Sequence, residues 1–210
     1  MKQISKKICI YLLLIEPFFA IFTSVIVTVS AYGTDPSFLK NSVIYQMINA
    51  VLVTFIYINV AKINKELKIT SILTYFCLTI AVVSALVWNY FPQIILYNPY
   101  IVDILDFIAS VLSIPLAYYF CKGFYVLVSE NTKNVSLAEK WMKLLKSNID
   151  LAVINLIFLI VNYFIGAYQL TENMAVTSIV LLVSFGVVVF GLYLTVLKII
   201  YLLKTAKELS

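Results

Sequence analysis

Glu16 is the residue of this chain whose position most invites chemistry. It stands inside an apolar run that begins at Ile8, and Pro17 follows it directly. An ionisable side chain in a hydrocarbon-length stretch is expensive, so it persists where it serves a site or finds a partner. Pro17 has no N–H to give, which frees the carbonyl four residues earlier, at Leu13. A carboxyl beside a freed carbonyl makes a compact oxygen cluster able to carry a proton or bind a cation. Counting from Ile8 at about 1.5 Å per residue places Glu16 roughly 12 Å into its helix. Pro115, Cys77, Asn155 and Gly191 fall near that level by the same count. No basic residue shares the layer, and only Lys122 or Lys198 can reach it from the edge. Desolvation is therefore expected to favour the neutral carboxyl. The plainer reading is a protonated Glu16 hydrogen-bonded to a neighbouring helix.

Asp103 and Asp106 form the second candidate. Asn98-Pro99 reads as the cap of their helix, with proline at its first position. Both acids then lie near the first turn, where the helix dipole favours them without any ligand. Asn49 and Asn162 fall at a similar depth, so together these residues outline an outward-facing polar pocket. Catalytic sets are missing. The chain has no histidine, and no HExxH, GxSxG, CxxC or phosphate-binding loop occurs. Cys9, Cys77 and Cys121 are too dispersed for a disulfide framework. Cys9 and Cys121 are expected near the reducing side, either S-acylated or, as buried thiols, inert. The expectation is a non-enzyme with no cofactor and no metal site.

The elements that must position these residues follow from composition. Of the 210 residues, 63% are hydrophobic and only 12% charged, with a mean hydropathy of +1.02. A soluble domain has about 45–50% apolar and about 25% charged residues. Such a chain needs a bilayer as its solvent. The expected fold is all-α, a polytopic membrane protein forming one membrane domain over 1–210. A bilayer core of about 30 Å takes roughly 20 apolar residues per helix. Six stretches qualify: 8–31, 43–61, 69–91, 101–121, 149–169 and 174–196. The first begins like a signal peptide, with a possible cleavage site at Val29-Ser30-Ala31. Its apolar run exceeds the usual length of about 7–15 residues, so it is expected to stay as the first helix.

Of the 15 basic residues, all lysine, only Lys40 falls in the loops on the side away from the termini. Lysine-rich loops stay cytoplasmic, so both termini are expected inside a plasma or inner membrane. The net charge of +5 is divided among separate loops, which argues against nucleic acid as a partner.

Helices in lipid meet through small and polar residues. Asn148, Asn155, Asn162 and Gln169 recur every seventh residue in span 5, as do Thr177, Ser184, Gly191 and Lys198 in span 6. The short connection at 170–173 makes these spans antiparallel neighbours. Pairing the two stripes sets Asn162 beside Ser184 and Asn155 beside Gly191. Segment 122–148 reads as a cytoplasmic amphipathic helix opened by a Ser136-x-x-Glu139 capping box. Leu137, Trp141, Leu144 and Leu145 share its apolar face, flanked by Lys140, Lys143 and Lys146. Such a helix suits anionic lipid at the inner surface or docking of another membrane or cytoplasmic protein. The expected function is that of an accessory or binding membrane protein (immunity, regulatory or assembly), ahead of its alternative, a small-solute or ion transporter or capture subunit using Glu16 or Asp103/Asp106.

Overall fold

Long apolar runs poor in glycine and proline satisfy their backbone by coiling into helices, and the described residues form helices joined by short turns. The structure, a computed structural model, describes residues 3–17, 36–91, 93, 100–132, 134–167 and 174–209. Among the described residues six helices follow in order: α1 Gln3–Leu13, α2 Pro36–Val60, α3 Lys65–Tyr90, α4 Tyr100–Asn131, α5 Val135–Ala167 and α6 Met174–Glu208. Four of them, α3 to α6, are long and apolar enough to cross a membrane, and α2 holds a shorter apolar stretch, Gln46–Val60. The Asn98-Pro99 cap, the 170–173 connection and the later part of the first apolar run lie outside the described residues.

Each described helix from α2 to α6 packs against the next in sequence, and α1 packs on both α2 and α6. The chain therefore closes into a ring. Helices α4, α5 and α6 have 32, 33 and 35 residues, or about 48–53 Å each. That exceeds a hydrocarbon core of about 30 Å, and the lysines of these helices, Lys122, Lys140, Lys143, Lys146, Lys198, Lys204 and Lys207, gather at one end.

The buried core is at that same end. Ile10 and Leu13 of α1, Tyr57 and Val60 of α2, Leu67 of α3, Phe124 and Leu127 of α4, Trp141 of α5 and Leu202 of α6 are all buried. Trp141 is fully enclosed. Its ring stacks on Phe124 at 4.6 Å between centroids, and Phe120 and Tyr201 approach edge-on. Its indole N–H donates to Thr205 Oγ1 at 3.1 Å, and Thr205 donates in turn to the Tyr201 carbonyl. A large aromatic with its polar atom satisfied is well placed in a core.

This arrangement corrects the expectation for 122–148. Residues 122–131 continue α4, and 135–148 are the opening turns of α5. Leu137, Trp141, Leu144 and Leu145 do share an apolar face, and all four are buried. The face packs on α4 and α6 rather than on lipid, because those helices are long enough to reach it. The cap is Asn134, not Ser136. Asn134 Oδ1 accepts from the Leu137 N–H at 3.0 Å, and its amide donates to Glu208 at 2.8 Å.

A second joint holds α3 to α4. Asn64 caps α3 by accepting from the Leu67 N–H, and its amide donates to the Gly123 carbonyl at 2.8 Å. A Cβ on Gly123 would lie 2.6 Å from Leu67 Cγ and 3.3 Å from the Leu67 nitrogen. Only glycine permits that approach. Cys9 and Cys121 are both buried.

Candidate functional site

Helix α1 loses regularity just before Pro17, as a proline with no N–H dictates. The Leu14 and Ile15 amides bond back only three residues, to Tyr11 and Leu12, at 3.1 Å each. This tight turn aims Glu16 into the ring. There Lys198 Nζ lies 3.2 Å from Glu16 Oε2, an ion pair between α6 and the end of α1. The Tyr57 hydroxyl donates to the same carboxylate, 3.3 Å from each oxygen. The Lys198 ammonium also sits 4.5 Å from the centroid of the Phe120 ring, within range of a cation–π attraction. The cation-free layer expected around Glu16 is therefore corrected. Lysine is long enough to bring its charge inward from the edge, and the last residue of the α6 heptad stripe does so.

Tyr57 is itself held firmly. The Ser71 hydroxyl of α3 shares its one proton between the Tyr57 carbonyl, at 2.9 Å, and the Leu67 carbonyl, at 2.8 Å. Tyr57 is buried, yet Glu16 and Lys198 keep 21% and 24% of their side-chain surface exposed. That exposure opens into a cavity of about 250 Å³ bordered by Glu16, Tyr57, Ser113, Asn148, Asn155 and Lys198. A water needs only about 10–15 Å³ of such space, so the cavity can hold a small solute. On the lysine-rich side, Phe120, Cys121 and Leu144 line it and belong to the closed core.

A larger cavity, of about 1250 Å³, lies between α4 and α5 and is bordered by Asp106, Ser110, Ser113, Asn155 and Asn162. Ser113 and Asn155 line both spaces. The structure thus brings Glu16 together with Asn155, and Asp106 together with Asn162. Asp103 belongs to α4, but its side chain is outside the described ones. Asn49 does not join this pocket, and its Oδ1 is buried on α2 with no hydrogen-bond partner among the described residues.

Helices α5 and α6 are neighbours as expected, and the residues of their two stripes have these surroundings. Ser184 donates to its own Val180 carbonyl at 2.7 Å, and Asn155 and Asn162 border the α4–α5 cavity. A Cβ on Gly191 would face Leu151 at 3.7 Å, not Asn155. Leu151 fills the space over the glycine, and both asparagines, bordering the α4–α5 cavity, are exposed. The sequence reading missed Tyr57 and Phe120 as parts of the site. Tyr57 lies about one turn nearer the lysine-rich end than Glu16 by depth counting, a gap its own length spans.

Among the described residues, no three of the types His, Cys, Asp and Glu come together to hold a metal ion. Comparison of the chain with protein-family models, with curated proteins and with solved structures finds no match to any of the three.

Proposed function

We propose that the chain is a six-span protein of the plasma or inner membrane, with both termini cytoplasmic, that binds a small polar solute or ion at the Glu16–Lys198 centre. It acts as a transporter or substrate-capture subunit, with no catalysis. One observation carries this reading: an ion pair that stays partly exposed at the wall of a cavity instead of being sealed. An intramembrane charge pair held only for packing gains most when it is enclosed and fully bonded. Glu16 and Lys198 offer one charge of each sign, with Tyr57 and Asn155 as neutral hydrogen-bonding groups. A zwitterion or a hydrated cation suits that set.

The test is thermal stability of the detergent-purified protein against a panel of cations, amino acids and other small metabolites. Wild type is run beside Glu16→Gln and Lys198→Met. A solute that raises the melting temperature of wild type and of neither variant supports the proposal. A second reading, an accessory or binding membrane protein, is favoured by Glu16 having two side-chain partners within the chain. It expects both variants to melt lower and no solute to shift any of the three proteins.

A further inference from the structure

Away from that centre, the outer surface of the α4–α5 hairpin carries a groove of about 580 Å³. Lys122, Lys143 and Lys146 border it, against a single acid, Glu139. Tyr118 and Tyr125 stand on its α4 side, and Met142 on its α5 side. Lys122 Nζ is held over the Tyr118 ring, 5.2 Å from its centroid and 3.3 Å from its hydroxyl. We propose that this groove binds the headgroup of an anionic phospholipid of the inner leaflet.

Three features point to that occupant. The excess of lysine over glutamate calls for an anion carrying more than one charge. The tyrosines mark the headgroup level, where amphipathic rings settle. The third feature is what continues the groove along the helices. Tyr118, Lys122 and Tyr125 share one face of α4, and Val111, one heptad before Tyr118, lies on that face and is exposed. Glu139, Met142 and Lys146 share one face of α5, and Val153 and Ile157 extend it, also exposed. A charged pocket that opens along both helices onto a bare apolar strip fits a molecule with a phosphate head and acyl tails. Free phosphate or an acidic peptide would leave the strip uncovered. Basic pockets between spanning helices are a recognised setting for such headgroups. The proposal does not depend on what the Glu16–Lys198 centre binds.

The experiment is native mass spectrometry of the full chain in detergent, titrated with diphosphatidylglycerol, phosphatidylglycerol or phosphatidylcholine. The variant replaces Lys122, Lys143 and Lys146 by Gln. A control of equal charge change replaces Lys140, Lys204 and Lys207, which border a separate groove. Near a membrane surface each lysine is worth about fivefold in affinity, so the triple variant should bind diphosphatidylglycerol on the order of a hundredfold more weakly. The control should stay near wild type, and phosphatidylcholine should bind no protein measurably. Single charge reversals, Lys122→Glu and Lys146→Glu, repeat the test with less change to the surface. Equal losses in variant and control, or no loss in the variant, overturn the proposal. Competition by millimolar inorganic phosphate overturns the lipid assignment in favour of a free anion.

Discussion

The two ends of the α4–α6 helices are built differently. At the lysine-rich end Trp141, Phe124, Leu127 and Leu202 are buried within a dense aromatic and aliphatic core. Toward the other end, the large cavity lies between α4 and α5. There Ile179, Leu182 and Phe185 of α6 point away from the rest of the protein, and a Cβ on Gly186 would meet nothing within 4 Å. The contrast follows from the solvent. On the six-span reading proposed above, the lysine-rich ends stand outside the hydrocarbon, where water drives apolar faces together. On the same reading the other end lies in lipid, where that drive is absent, and there Asp106, Ser113, Asn155 and Asn162 border the cavity.

The largest effect that sharpens this contrast is expected at Trp141. Trp141→Ala should cost about 3–5 kcal/mol by leaving a cavity and removing the bond to Thr205. Phe185→Ala, at an exposed site, should stay within about 0.5 kcal/mol of wild type. Denaturant unfolding of both variants in the same detergent checks this. Equal losses would mean that the two ends are packed alike.

Between the ends, Glu16→Gln leaves Lys198 without its ion pair. Since both groups are partly exposed, the loss should be about 1–3 kcal/mol. Adding Lys198→Met should recover most of it, giving a coupling that a double-mutant cycle measures directly. Additive losses would separate the two residues.

The joint between α3 and α4 should respond on a similar or smaller scale. Gly123→Val forces atoms into Leu67 and should cost about 1–3 kcal/mol, with relief when Leu67 is also cut to Ala. Gly186→Ala, with open space around it, should be neutral or stabilising by up to about 1 kcal/mol. Melting temperatures of the two glycine variants, read side by side, test whether close approach is confined to the lysine-rich end.

The sequence made some of this legible. The shared face of Leu137, Trp141, Leu144 and Leu145 is written in their spacing, and so is the break before Pro17. What covers that face is not, because amphipathicity names a stripe and leaves its neighbour open. The overlong helices decide it. The asparagine heptad of α5 likewise fixes a single face, but α5 has neighbours on both sides, and Asn155 and Asn162 of the stripe border the cavity between α4 and α5. Lys198 was visible as a residue able to reach Glu16, but a depth count assigns a side chain to its Cα level and understates a lysine. Tyr57 carries no local pattern at all. Its role arises from α1 ending where α2 can meet it, as the Gly123–Leu67 approach arises from how α3 and α4 cross.

The measurement that tests the central claim most directly is cysteine accessibility in native membranes. In a background with Cys9, Cys77 and Cys121 replaced, Asn155→Cys and Ser113→Cys report on the cavity beside Glu16 and Lys198. Leu127→Cys and Thr205→Cys report on the closed core. The account predicts that a small charged thiol reagent modifies the first pair, more slowly when a stabilising solute is present, and leaves the second pair untouched. Protection of all four positions would contradict it, and would make the Glu16–Lys198 pair a sealed structural latch.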